Sequence, residues 1–133
     1  MTDTVLLVCT RCRAAGADPE APRAGAALLA AAIAAGRDDT GLRVAGVACL
    51  SGCKRACAAA LVAPGKVTYL FGDVPPDADG AADLLAVARA HAARPDGHLP
   101  RAERPERLRG GILARVPPLE WLGATAGEVA WPG

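Results

Sequence analysis

Aromatic side chains are scarce in this chain. Tyr69, Phe71, Trp121 and Trp131 are the only four among 133 residues. Alanine is abundant and 52% of the residues are apolar, so a disordered chain does not fit. The core must instead be built from small side chains that let its elements approach closely. A chain of this length is expected to form one domain that buries about two-thirds of its unfolded surface. An excess of charge is also missing: 15 basic residues stand against 14 acidic ones, a net charge of +1, which makes no electrostatic case for nucleic acid as a partner. No apolar run nears the roughly 20 residues that span a bilayer. The opening MTDTVLLVC has no basic n-region and only a short apolar stretch, so no membrane association and no secretory signal are expected, and the localisation is read as cytoplasmic. Catalytic groups are thin as well. His91 and His98 are the only histidines, and neither has a cysteine or carboxylate at ligand spacing. Gly110-Gly111 is not part of a GxxxxGK[ST] loop. Asp38-Asp39, Asp77 and Asp79 read as loop and helix-cap residues. With no nucleophile–base pair in view, the chain is not expected to be an enzyme.

What the chain does have is cysteine in two places. Cys9 and Cys12 stand in Cys9-Thr10-Arg11-Cys12, and Cys49, Cys53 and Cys57 are spaced regularly in CLSGCKRAC. An odd number of cysteines without an export signal fits structural disulfides poorly and fits metal or redox chemistry better. Free cysteine is often a small core hydrophobe, but clustering at two points argues against that role here.

The surrounding pattern predicts how the two groups meet. Thr4 to Val8 reads as a buried strand running into Cys9. After a loop with Gly16, Pro19 and Pro22, a helix is expected from Arg23 to Ala35, with Ala26, Leu29, Ala30 and Ile33 on one face and Gly36 at its end. A polar loop, RDDTG, follows. Leu42 to Ala48 reads as a second strand running into Cys49. Strand, helix and strand make a right-handed βαβ unit with parallel strands, and parallel strands finish at the same sheet edge, where α/β folds bind ligands. Ala58 to Val62 and Val67 to Phe71 are expected to form a hairpin across a type II turn, Ala63-Pro64-Gly65-Lys66. A helix is expected from Gly80 to Arg94, capped by Asp77 or Asp79, with Ala81, Leu84, Leu85, Ala88 and Ala92 on one face. The order β-α-β-β-β-α is that of a thioredoxin-like α/β domain without its middle helix. It is expected to occupy residues 1–95, with residues 96–133 forming a Pro- and Arg-rich extension packed on it. In that extension Ile112 to Val116 can be extended. Trp121 and Trp131 offer an anchor for docking on the body or for a homodimer.

Thiolates bind soft and borderline metals, and four of them suit zinc or an iron–sulfur cluster. Cys9 with Cys12 and Cys49 with Cys53 make two pairs, and Gly52 gives the second loop freedom to turn. Cys57 is a fifth thiol, so spacing alone allows more than one set of four. Arg11, Arg13, Lys54 and Arg55 flank the two groups and would offset the negative charge of thiolates. They would also steer docking to an acidic redox partner protein. The second cluster of basic residues, Arg101, Arg104, Arg107, Arg109 and Arg115, reads as a solvated face.

The CLSGC loop after a Val-rich strand resembles the CLGxC loop of thioredoxin-like 2Fe–2S ferredoxins, among them the small 2Fe–2S subunit of NADH dehydrogenase. The gap between the cysteine pairs is also similar. CTRC, CLSGCKRAC, APGKVTYLFGDV, PDGHLP and ARVPP together resemble a bacterial family of predicted metal-binding proteins over residues 5–118. That resemblance implies the ferredoxin type of thioredoxin-like fold and a link to cobalamin biosynthesis or metal handling. Carried over by residue, the ferredoxin pattern implies a 2Fe–2S cluster on Cys9, Cys12, Cys49 and Cys53, serving one-electron transfer, with Cys57 in reserve beside it. The first pair departs from the pattern, since these ferredoxins space it more widely. Two alternatives stand beside this expectation. One is a zinc-binding or metal-delivery site on the same thiols, where bound zinc would add on the order of 10 kcal/mol to folding. The other is a CxxC thiol–disulfide oxidoreductase, which needs its cysteine pair at a helix N-terminus. The loop following Cys12 argues against that placement.

Overall fold

In a computed structural model of the chain, the described residues are 3–13, 16–39, 42–122, 127, 128 and 131, and the Cys53 side chain lies outside them. Thr40 and Gly41 of the RDDTG loop are likewise outside. A five-stranded mixed sheet is formed by β1 (Val5–Cys9), β2 (Arg43–Val47), β3 (Ala59–Val62), β4 (Thr68–Phe71) and β5 (Ile112–Val116), in the order β2-β1-β3-β4-β5. The helices are α1 (Ala24–Ala35), α2 (Ala78–Ala93) and the short α3 (Glu106–Gly110). The fold is thioredoxin-like α/β. β1 and β2 are parallel, as the intervening helix requires, while β3, β4 and β5 add antiparallel neighbours. β5 comes from the segment read as a C-terminal extension and is a member of the sheet itself. Trp121 and Trp131 meet edge to face with centroids 6.0 Å apart, and Arg115 of β5 lies 4.0 Å over the Trp131 ring.

Helices α1 and α2 pack on each other, α1 against β1 and β2 and α2 against β1 and β3. Between them and the sheet lie Leu6, Val8, Leu28, Leu61, Tyr69, Phe71, Leu84 and Leu85, all buried. The face of α1 differs from the expected one. Gly25, Leu28 and Ala32 are buried, while Ile33 is 46% exposed. The helix reads AGAALLAAAIAA, and with no polar side its periodicity cannot select a face. In α2 Ala81, Leu84, Leu85 and Ala88 are buried as expected, while Ala92 is only half-buried, and the Asp77 side chain accepts from the Asp79 and Gly80 N–H groups as the cap. Gly65 takes φ +71° in the turn between β3 and β4, and Lys66 N–H closes the turn on the Ala63 carbonyl. The Lys66 ammonium then donates to the His91 and Ala92 carbonyls at 3.0 Å each, at the C-terminal end of α2, where a cation opposes the helix dipole favourably.

His91 is a core residue. Its Nε2 lies 2.7 Å from the Val67 carbonyl oxygen and its Nδ1 2.9 Å from Thr4 Oγ1. A carbonyl can only accept, so Nε2 carries the proton and Nδ1 accepts from the Thr4 hydroxyl. Burial pushes the His91 pKa below its ordinary 6.5; the bond to Val67 pulls it back in part, and the nearby Lys66 charge lowers it further. The unfolded chain therefore takes up a proton before the folded one does. Stability is complete above the ordinary histidine value and is lost as pH falls below it, by at most about 1.4 kcal/mol per pH unit. Melting temperatures taken from pH 7.5 down to 5 should fall, and the fall should shrink in His91→Gln. A flat profile in the parent protein would contradict this account of the core.

Candidate functional site

Cys9 ends β1, and its register partner on the parallel strand is Val47, two residues before Cys49. The two cysteine segments therefore reach the same sheet edge. β3 runs antiparallel to β1, with Val8 opposite Ala59, so it starts at the edge where β1 stops. This returns Cys57, two residues before β3, to that edge too. Cys53 opens the 3-10 turn Cys53–Arg55 between them. The antiparallel β1–β3 pairing is the signal that places Cys57 here, and local spacing in the chain does not contain it.

The structure brings three thiols together. Cys9, Cys12 and Cys57 are 2%, 1% and 2% exposed and are free thiols; the Cys12 thiol is close enough to influence the acidity of both others, and Cys9 and Cys57 act on each other electrostatically. Cys49 is exposed on the adjoining loop, where its sulfur accepts from the Ser51 N–H at 3.2 Å. Residue 50 of the same loop turns its backbone N–H to the Cys9 sulfur. Ser51 takes φ +58°, a left-handed turn that folds this loop over the first pair. Cys57 is held by two backbone bonds with Val74, one in each direction.

The thiols differ in acidity. Burial works against the Cys9 thiolate, but N–H groups of Leu50, Arg11 and Cys12, with the Cys12 thiol, outweigh it and hold Cys9 below the usual thiol value. Burial and the charge of Cys9 push Cys12 up to about 12, despite the Ala58 N–H that donates to its sulfur at 3.4 Å. Burial also raises Cys57, and Cys9 adds to the rise. Such a group resists holding several negative charges unless a cation joins it.

Helix α1 reaches this site although a loop separates it from Cys12 in the chain. The Gly25 N–H donates to the Cys12 carbonyl at 3.0 Å, and a Cβ on Gly25 would lie 2.0 Å from the Cys9 carbonyl oxygen. The expectation that the loop removes a helix N-terminus from the CxxC pair is therefore corrected: tertiary packing restores it. The flanking cations are not equivalent. Arg11 and Lys54 are exposed, whereas Arg55 is paired with Asp73 and also donates to the Gly110 carbonyl. Among the described residues, no three histidine, cysteine or acidic side chains stand ready-made as a metal site, and no helix is long and apolar enough to cross a membrane.

A thioredoxin-like domain with a cysteine-lined sheet edge is the class these features define. Residues 6–118 match the family described as "Protein of unknown function (DUF1636)", and the chain belongs to that family. Among solved structures it is similar to a thioredoxin-like [2Fe–2S] ferredoxin from Aquifex aeolicus, with 14% identity, a TM-score of 0.55 and coverage of 89% of this chain and 96% of that one. No curated protein matches the chain.

Proposed function

We propose that this protein is a one-electron carrier holding a 2Fe–2S cluster at the cysteine edge, and that it turns over no substrate. The observation that carries the reading is the convergence of Cys9, Cys12 and Cys57 in a buried sulfur group, on a fold shared with a [2Fe–2S] ferredoxin. The residues fit such a group chemically. Thiolates are its usual ligands, and backbone N–H groups already point at the sulfurs of Cys12 and Cys49, which favours the reduced state of a bound cluster. Bound there, a cluster supplies reversible uptake of single electrons. Cys9 and Cys12 would hold one side, and the CLSGCKRAC loop the other, through two of Cys49, Cys53 and Cys57. Exposed Arg11 and Lys54 favour an acidic surface on a redox partner protein.

A test is the visible spectrum of protein purified without air, with iron, zinc and acid-labile sulfide counted on the same sample. The expected result is a brown protein with about two irons and two sulfides per chain. A colourless protein with about one zinc would overturn the proposal in favour of metal binding or delivery. A second reading, thiol–disulfide exchange, is favoured by one observation: α1 starts against the CxxC loop, with Cys9 acidified and Cys12 not. Metal-free protein with a reducible Cys9–Cys12 disulfide would support it.

A further inference from the structure

The arginines near the end of the chain fall into three groups, of which Arg101 and Arg109 donate to backbone carbonyls of their own segment. Arg94 pairs with Glu103 and Arg107 with Asp83. Arg104 and Arg115 have no such ion pair among the described residues. They line one cleft of about 320 Å³ with Ile112, Leu113 and Ala114 of β5. Arg104 is half-buried, one of its terminal nitrogens donates to the Leu108 carbonyl, and its Nε is buried with no hydrogen-bond partner among the described residues. A buried donor left in that state needs an account, and an ordered water or a bound acceptor beside it is one. Arg115 stacks on Trp131, which occupies the face of its guanidinium and leaves the N–H edge for in-plane bonds. Burial holds Arg104 below the usual arginine value, Tyr69 opposes this, and Arg101 and Arg115 add to it by repulsion. The cleft thus gathers like charges that nothing in the described chain neutralises.

The geometry points to this cleft as a binding site for a small oxyanion, a phosphate or carboxylate group gripped by Arg104 and Arg115, with an apolar part lying along Ile112 and Leu113. Two guanidinium forks match such groups through paired charge-assisted bonds. The site adjoins the cysteine edge. A Cβ on Gly52 would lie 3.5 Å from Leu113 Cδ1, so one leucine separates the cleft from the CLSGC loop. The inference rests on the cleft alone and stands whether or not the thiols hold metal.

The test is calorimetric titration of the full chain at low ionic strength with inorganic phosphate, pyrophosphate and citrate, alongside amide spectra. Saturable binding is expected for at least one anion, with shifts confined to the amides of residue 104 and residues 112–115. Arg104→Gln and Arg115→Gln should each weaken it about 10-fold or more. Arg43→Gln, on the strand at the opposite edge of the sheet, should leave it unchanged. Should Arg104→Gln fail to fold, exposed Arg115 carries the test. Preference for pyrophosphate over citrate would assign a phosphoryl ligand, and the reverse a carboxylate one. No saturation by any of the three up to about 10 mM, or equal weakening by Arg43→Gln, would overturn the proposal.

Discussion

On the cluster proposed above, protein carrying Cys12→Ser and purified without air is expected to be colourless, with iron and sulfide near zero against about two of each per chain in the parent. The reason lies in the position of this thiol. It is 1% exposed, contacts both Cys9 and Cys57, and receives the Ala58 N–H, so it sits at the centre of the sulfur group. A serine oxygen is a harder ligand than a thiolate and does not match iron in a sulfur-rich site. Cys57→Ser is expected to lose most of its iron for the same reason, since the contacts of Cys57 reach both Cys9 and Cys12. The ferredoxin spacing would instead make Cys53 the essential thiol of the loop. Iron counts on Cys49→Ser, Cys53→Ser and Cys57→Ser separate the two ligand sets. Full iron in Cys12→Ser would remove the basis for a cluster at this edge.

The second large effect is expected from Gly25→Ala. On helix propensity alone, alanine gains up to about 1 kcal/mol over glycine in a helix interior, and less at Gly25, the second residue of α1. Here the added Cβ would meet the Cys9 carbonyl oxygen at 2.0 Å and the Cys12 backbone nitrogen at 3.1 Å. Both contacts are backbone, so neither can swing aside as a flexible side chain would. Relief requires α1 to move off the cysteine loop, which breaks the Gly25 N–H bond to Cys12. Overpacking of this kind costs about 1–3 kcal/mol, at times more, and outweighs the propensity gain. The melting temperature should fall on the order of 5 °C or more. The metal content should fall with it, because the same contact sets the position of Cys9 and Cys12. Gly110→Ala is the matched control: a Cβ there meets nothing within 4 Å. Equal melting temperatures for Gly25→Ala and the parent would show that the helix–loop contact is looser than the geometry here.

Much of the molecule is legible in local sequence, because local forces set it. Valine and leucine runs make β1 and β2, and Asp77 caps α2 because its side chain reaches two free N–H groups. Pro64-Gly65 makes the turn before β4. The parallel βαβ unit follows from the helix between its strands, and with it the meeting of Cys9 and Cys49 at one edge. Local sequence also holds the reason to look for metal: five thiols in two groups, in a chain with little other chemistry.

Other features depend on which elements pair, and no short window of sequence encodes that. The buried face of α1 is chosen by α2 and the sheet, since an all-apolar helix has no preferred side. Cys57 joins Cys9 and Cys12 because β3 runs antiparallel to β1. α1 reaches the CxxC loop only because glycine at position 25 lets two backbones touch. The arginine cleft exists because β5, after a proline-rich stretch, pairs with β4 and sets Arg115 beside Arg104. The sequence alone thus specified the elements and the supply of thiols. Long-range strand pairing and one close backbone contact decided which thiols meet, because contact between residues distant in the chain is a property of the packed whole.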